Sequence, residues 1–118
     1  MPMTSRTILM ASMDVEPEYE DLFNEVYDRE HVPYLMQVPG VRSVTRWKGV
    51  PFEFALGGEI RQMPAPQPRY TAIYELDGPQ VLASREWAEA VERGRWASEV
   101  RPHTRNRSHA VFERHDPA

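Results

Sequence analysis

Cysteine is absent from the 118-residue chain, which excludes a disulfide scaffold and thiolate chemistry and is compatible with a reducing compartment. A long apolar run is also missing. Met1-Pro2-Met3-Thr4-Ser5-Arg6 leads into a short apolar stretch that meets charge at Asp14, too short for a signal peptide or a membrane span. A soluble cytoplasmic protein without membrane contact is expected. No glycine-rich phosphate loop occurs, and His103-x5-His109 and His109-x5-His115 match no structural zinc spacing, so neither metal nor cofactor, haem included, is expected.

Excess positive charge is lacking too: 14 basic residues face 18 acidic ones, and a net charge of −4 repels phosphate backbones. One segment is basic, with Arg93, Arg95, Arg101, Arg105 and Arg107 beside His103 and His109. Trp96 is its only stacking aromatic, so nucleic acid is not an expected partner. A solvated turn forming intersubunit ion pairs with the acidic first helix is the expectation, with His109 an inert surface position or a second pocket histidine.

What is present is ordinary globular composition, 41% apolar and 27% charged, in a chain long enough for one domain over residues 1–118. Residues 7–13 form an apolar run of strand length. Pro17 and the acidic residues around it open a helix, along which Tyr19, Leu22, Phe23, Val26 and Tyr27 make one apolar stripe. Pro33 should kink or end that helix near His31 to Val32.

Alternation marks residues 41–48 as a second strand, with Trp47 on one face and Arg46 on the other, and residues 70–76 as a third. Between them residues 49–68 carry prolines and paired glycines and read as a lid, an arm or an extended hairpin tip. Ser84 caps a second helix over 85–93 that Gly94 stops, and residues 108–114 form a last strand. The order βαββαβ is α+β and ferredoxin-like, a four-stranded antiparallel sheet with two helices on one face. The other face, carrying Trp47 or Tyr74, needs a cover, and a homodimer closing a dimeric α/β barrel supplies one.

Tyr27-Asp28-Arg29-Glu30-His31-Val32-Pro33, followed by Val38-Pro39-Gly40-Val41, resembles the EthD-like family of the dimeric α/β-barrel superfamily, in which a helix ends in an acidic-x-His-x-Pro turn. The resemblance implies a barrel fold with a pocket, in a superfamily of cyclases, cofactor-free monooxygenases, isomerases and haem-handling proteins. It carries over His31 and no reaction.

On an ideal helix Glu30 falls within the apolar stripe and His31 on its flank, beside Tyr27 and Tyr34. A carboxylate there needs an arginine, Arg46 or another, or a free backbone N–H, so Glu30 is read as positioning the site. His31 at a helix C-terminus is expected to titrate near neutrality, either as an acid/base helped by the Tyr27 hydroxyl or as a cap on a local carbonyl. Trp47, Tyr70 and Tyr74 are candidates for an aromatic substrate slot, or are core and interface, while Tyr34 and Arg46 are candidate substrate contacts.

Two functions remain open on these residues. One is a cofactor-free lyase, isomerase, cyclase or oxygenase acting on a small aromatic or polyketide-like compound. The other is a non-catalytic binding or interaction protein. A pocket reached by His31 favours the first, and a filled interior the second.

Overall fold

A computed structural model describes residues 5–117, so the reading of residues 1–4 as free of a leader lies outside the described residues. The described residues form six strands and three α-helices: β1 (Thr7–Val15), α1 (Glu20–Val26), α2 (Val32–Met36), β2 (Val41–Lys48), β3 (Phe52–Leu56), β4 (Glu59–Met63), β5 (Tyr70–Leu76), α3 (Arg85–Ala90) and β6 (Thr104–Glu113). Four of them form one antiparallel sheet in the order β2-β5-β1-β6, the ferredoxin-like arrangement.

Alternation decides which side chains enter the core. In β1 and β5 every second residue is buried, so Leu9, Ala11 and Met13 share the helix-covered face with Tyr70, Ala72, Tyr74 and Leu76. Against that face pack Phe23 and Val26 from α1 and Leu35 from α2, none of them exposed. Tyr74 therefore belongs to the helix side, contrary to the expectation that it faces outward with Trp47. The open face instead carries Ile8, Met10, Ile73, Trp47 and Phe112, of which Trp47 is 57% and Phe112 51% exposed.

The first helix does not end at His31. Between α1 and α2 the chain makes a π turn over Tyr27–His31, in which the Val32 N–H donates to the Tyr27 carbonyl five residues back. Such a widened turn absorbs the proline: Pro33 has no N–H to place in the ladder and its ring needs room beside the preceding turn. Val32 keeps helical angles, φ −61° and ψ −49°, so the local bias imposed by Pro33 is overridden by packing of the continuing helix.

Ser84 caps α3 as expected, its Oγ accepting from the Trp87 N–H at 3.1 Å, and Gly94 adopts φ +71° where the chain turns away. Residues 49–68 contain a real hairpin, β3 paired with β4 through Gly57 and Gly58, both at positive φ as a two-residue type I′ turn requires. It stands off the body of the molecule. The Cα radius of gyration is 16.1 Å, above the roughly 13 to 14 Å of a compact chain of this length. No helix among the described residues is long and apolar enough to cross a membrane.

Candidate functional site

A cavity of about 410 Å³ lies between the helix-covered face of the sheet and the helical layer. Its floor is Leu9, Ala11 and Tyr74, its far wall Tyr27, His31 and Trp96, and β6 supplies Arg107 and His109 along its outer side. Because β6 is an edge strand with both of those residues exposed, the cavity opens along the sheet edge.

His31 is the least ordinary group in the wall. It is 5% exposed, stacks on Trp96 with ring centroids 4.3 Å apart and meets the edge of Tyr27 at 5.1 Å. Nδ1 is buried and has no hydrogen-bond partner among the described residues. Burial, aided by the Arg101 cation and opposed by Glu92, lowers its pKa to about 4, so the ring is neutral at physiological pH. This replaces the expected imidazolium at a helix end: the helix goes on, and no free carbonyl stabilises a charge.

Tyr27 stands beside His31 in the cavity wall. Its hydroxyl is 3.1 Å from that of Tyr74, and burial raises the pKa of both phenols. The pair satisfies two buried polar groups deep in the core, a net contribution of about 1 kcal/mol, far less than the cost of leaving either one alone. Two neutral hydroxyls therefore sit beside a neutral imidazole.

The remaining candidates lie elsewhere. Trp47 and Tyr70 meet with Arg46 around a separate depression beside Asn24 and Asp28, whereas Tyr74 lies in the His31 cavity, so these three do not line one slot. Tyr70 donates its hydroxyl to Glu20, outside the cavity. Arg46 stacks over Tyr27, its carbon 4.4 Å from the ring centroid, and is held by Asp28 at 2.7 Å and Asn24 at 2.9 Å. Tyr34 faces a separate shallow depression with Gln37 and Arg93. Neither lines the His31 cavity.

Glu30 does find both kinds of partner that its position demands, but from Arg95 and not Arg46. It accepts from the Arg95 backbone N–H at 2.9 Å and from the guanidinium at 2.6 Å, and these bonds hold its carboxyl below the usual range. Arg95 also reaches Glu25, while Arg105 pairs with Glu16 and Arg101 with Glu92. Through Arg95 the basic segment thus binds the acidic first helix within one chain, where intersubunit pairs were expected. It clamps the Trp96 turn onto His31.

Sequence reasoning missed Trp96, Arg101 and Arg107 as cavity residues and read His109 first as an inert surface position, whereas it lines the cavity. Among the described residues no group of three metal-capable side chains converges.

Replacing His31 by phenylalanine tests its burial. The folded ring has its pKa below the unfolded value near 6.5, so the unfolded chain binds the extra proton and stability falls as pH drops from about 6.5 towards 4. Urea unfolding should show wild type losing about 3 kcal/mol relative to His31→Phe across that interval. An unchanging difference would mean that the ring is solvated.

No protein-family model matches the chain, and no curated protein matches it. Solved structures do. An ethyl tert-butyl ether d (EthD) family protein from Bacillus halodurans superposes with a TM-score of 0.59 at 17% identity over 93% of this chain and 99% of that one. The haem degrader MhuD from Mycobacterium tuberculosis, with two haems in its active site, gives 0.57 at 12% identity, covering 95% and 98%. An antibiotic biosynthesis monooxygenase gives 0.56 at 12% identity, covering 93% and 99%. The chain therefore has the ferredoxin-like α+β fold of the EthD and monooxygenase structures.

Proposed function

We propose that the protein binds a small planar aromatic compound, phenolic or otherwise enolisable, in the His31 cavity, and that neutral His31 accepts a hydrogen bond or a proton from it. One observation carries this reading: a buried imidazole with an unpartnered nitrogen stands in the wall of an open, largely apolar cavity. A flat ring can lie among Trp96, Tyr27 and Tyr74 while its hydroxyl meets the imidazole. The Tyr27 hydroxyl is the second polar handle, and Arg101 supplies a positive field that favours a developing enolate or phenolate.

On this reading the chemistry is cofactor-free proton transfer, as an isomerase, lyase, cyclase or oxygenase step on such a compound would need. The solved monooxygenase and the haem degrader show that the same fold accommodates oxygenases and large planar ligands, and that supports a cavity of this kind. A second reading, non-catalytic binding, is favoured by the depressed pKa of His31, since a base works best with a pKa near the operating pH. The acting form is a homodimer, supported by the apolar open face of the sheet.

Thermal-shift measurement with phenols and lactones tests binding. Stabilisation by at least one class is expected in wild type and in Tyr34→Phe, and its loss in His31→Ala, each measured against the variant's own Tm. Silence across the panel contradicts the cavity reading. For a lactone that binds, NMR in D2O separates the two functions: deuterium entering the acidic carbon, in wild type but not in His31→Ala, marks proton transfer.

A further inference from the structure

Resting on the cavity reading, the structure points to a more specific ligand, and we infer that the aromatic compound carries a carboxylate or equivalent anion, held at the cavity mouth by Arg107. Of the two arginines that line the cavity, Arg101 is already engaged, its guanidinium bound to Glu92 at 2.7 and 3.0 Å and to the Val91 carbonyl at 3.0 Å. Arg107 has no carboxylate within ion-pair distance among the described residues. Its sequence neighbour Arg105, on the same strand, does have one in Glu16, so the lack is not general to the segment.

The backbone aims Arg107 inward. Pairing of β1 with β6 shifts register between Ser12 and Asp14, and opposite that bulge Asn106 takes φ +54°, a left-handed angle that asparagine tolerates better than most residues. The Asn106 amide donates to Asp14 at 2.8 Å and fixes the irregularity in place. Residues two apart on a strand share a face, so Arg107 follows Val111 and His109, the partners of the core-facing Leu9 and Ala11, onto the cavity side, and the bulge ends the regular ladder just beyond it.

His109 stands two residues further along the same face. Partial desolvation at the cavity rim and the Arg107 cation keep its pKa below the ordinary value, which leaves a neutral imidazole beside the guanidinium. One end of the cavity is thus apolar and aromatic with the uncharged His31, and the other presents an uncompensated cation. A planar acid spans both: ring inward, anion at the mouth. Guanidinium binds a carboxylate with two parallel bonds and tolerates partial exposure, which a mouth position imposes.

Calorimetric titration with 2-naphthoate and its neutral isostere 2-naphthamide tests the assignment. The acid should bind about tenfold more tightly than the amide in wild type, the advantage of one charge-assisted contact, and Arg107→Gln should close that gap while leaving amide affinity unchanged. Equal binding of acid and amide, or a gap that survives in Arg107→Gln, overturns the anion inference and leaves the aromatic cavity standing. Failure of both compounds to bind overturns the inference together with the cavity reading.

Discussion

Trp96→Ala is expected to cost about 3–5 kcal/mol of unfolding free energy, much of the 5–15 kcal/mol that a small domain commands. The indole is 4% exposed and touches three rings at once, stacked on His31, edge-to-face with Tyr27 and tilted against Phe23, with centroid distances from 4.3 to 6.1 Å. Truncation removes those contacts and opens the wall of an existing cavity to water. Little collapse can compensate, because the turn that carries Trp96 is pinned from outside by the bonds of Arg95 to Glu30 and Glu25. Urea unfolding followed by circular dichroism measures the loss. A cost below about 1 kcal/mol would show that the indole is not packed as described.

Trp47→Asp combined with Phe112→Asp is expected to convert a homodimer into a monomer. The two residues lie on β2 and β6, the opposite edges of the sheet, with Met10 and Ile73 between them, so apolar surface spans all four strands. Four strands at about 4.8 Å spacing give a face some 15 Å wide, larger with the side chains, and a stable interface needs roughly 800 Å² from each partner. The hairpin adds a second apolar surface: Phe52, Phe54, Leu56 and Met63 occupy one side of the β3–β4 ladder and are each at least 36% exposed. Light scattering should give twice the 13.7 kDa chain mass for wild type and the single mass for the variant. A monomeric wild type would contradict the dimer, and Phe54→Ser with Leu56→Ser tests the hairpin without touching the sheet.

The strands were the most legible part of the sequence. Period-two alternation in Tyr70–Leu76 and Val41–Lys48 gave both elements and the segregation of Trp47 from Arg46, because the pleat enforces it. Alternation does not say which face receives the helices, and for that reason Tyr74 was placed outward. The site was harder to read. A π turn carries one residue more than an α turn, so side chains beyond Tyr27 lag the ideal-helix phase, and His31 turns into the core while Glu30 moves to the rim where Arg95 meets it.

Arg107 was hidden for a different reason. Residues 108–114 read as the last strand, but pairing with β1 begins at Thr104 and passes through the bulge at Asn106. Arg107 falls one residue before the strand read from the sequence, between it and the bulge, so the alternation that places it beside His109 was not extended to it. Trp96 had no local signal at all, since its meaning depends on a partner 65 positions away in sequence from Glu30 to Arg95.

Tryptophan fluorescence gives the most direct test of the central claim that the His31 cavity is a ligand site. In a Trp47→Phe background the two remaining tryptophans, Trp87 and Trp96, both line that cavity. Titration with 4-nitrophenol should quench them saturably, and Ala11→Phe, which fills the floor, should abolish the saturable component while leaving the fold intact by circular dichroism. Quenching that stays linear in concentration, or saturation that survives Ala11→Phe, would place the ligand outside the cavity and contradict the account.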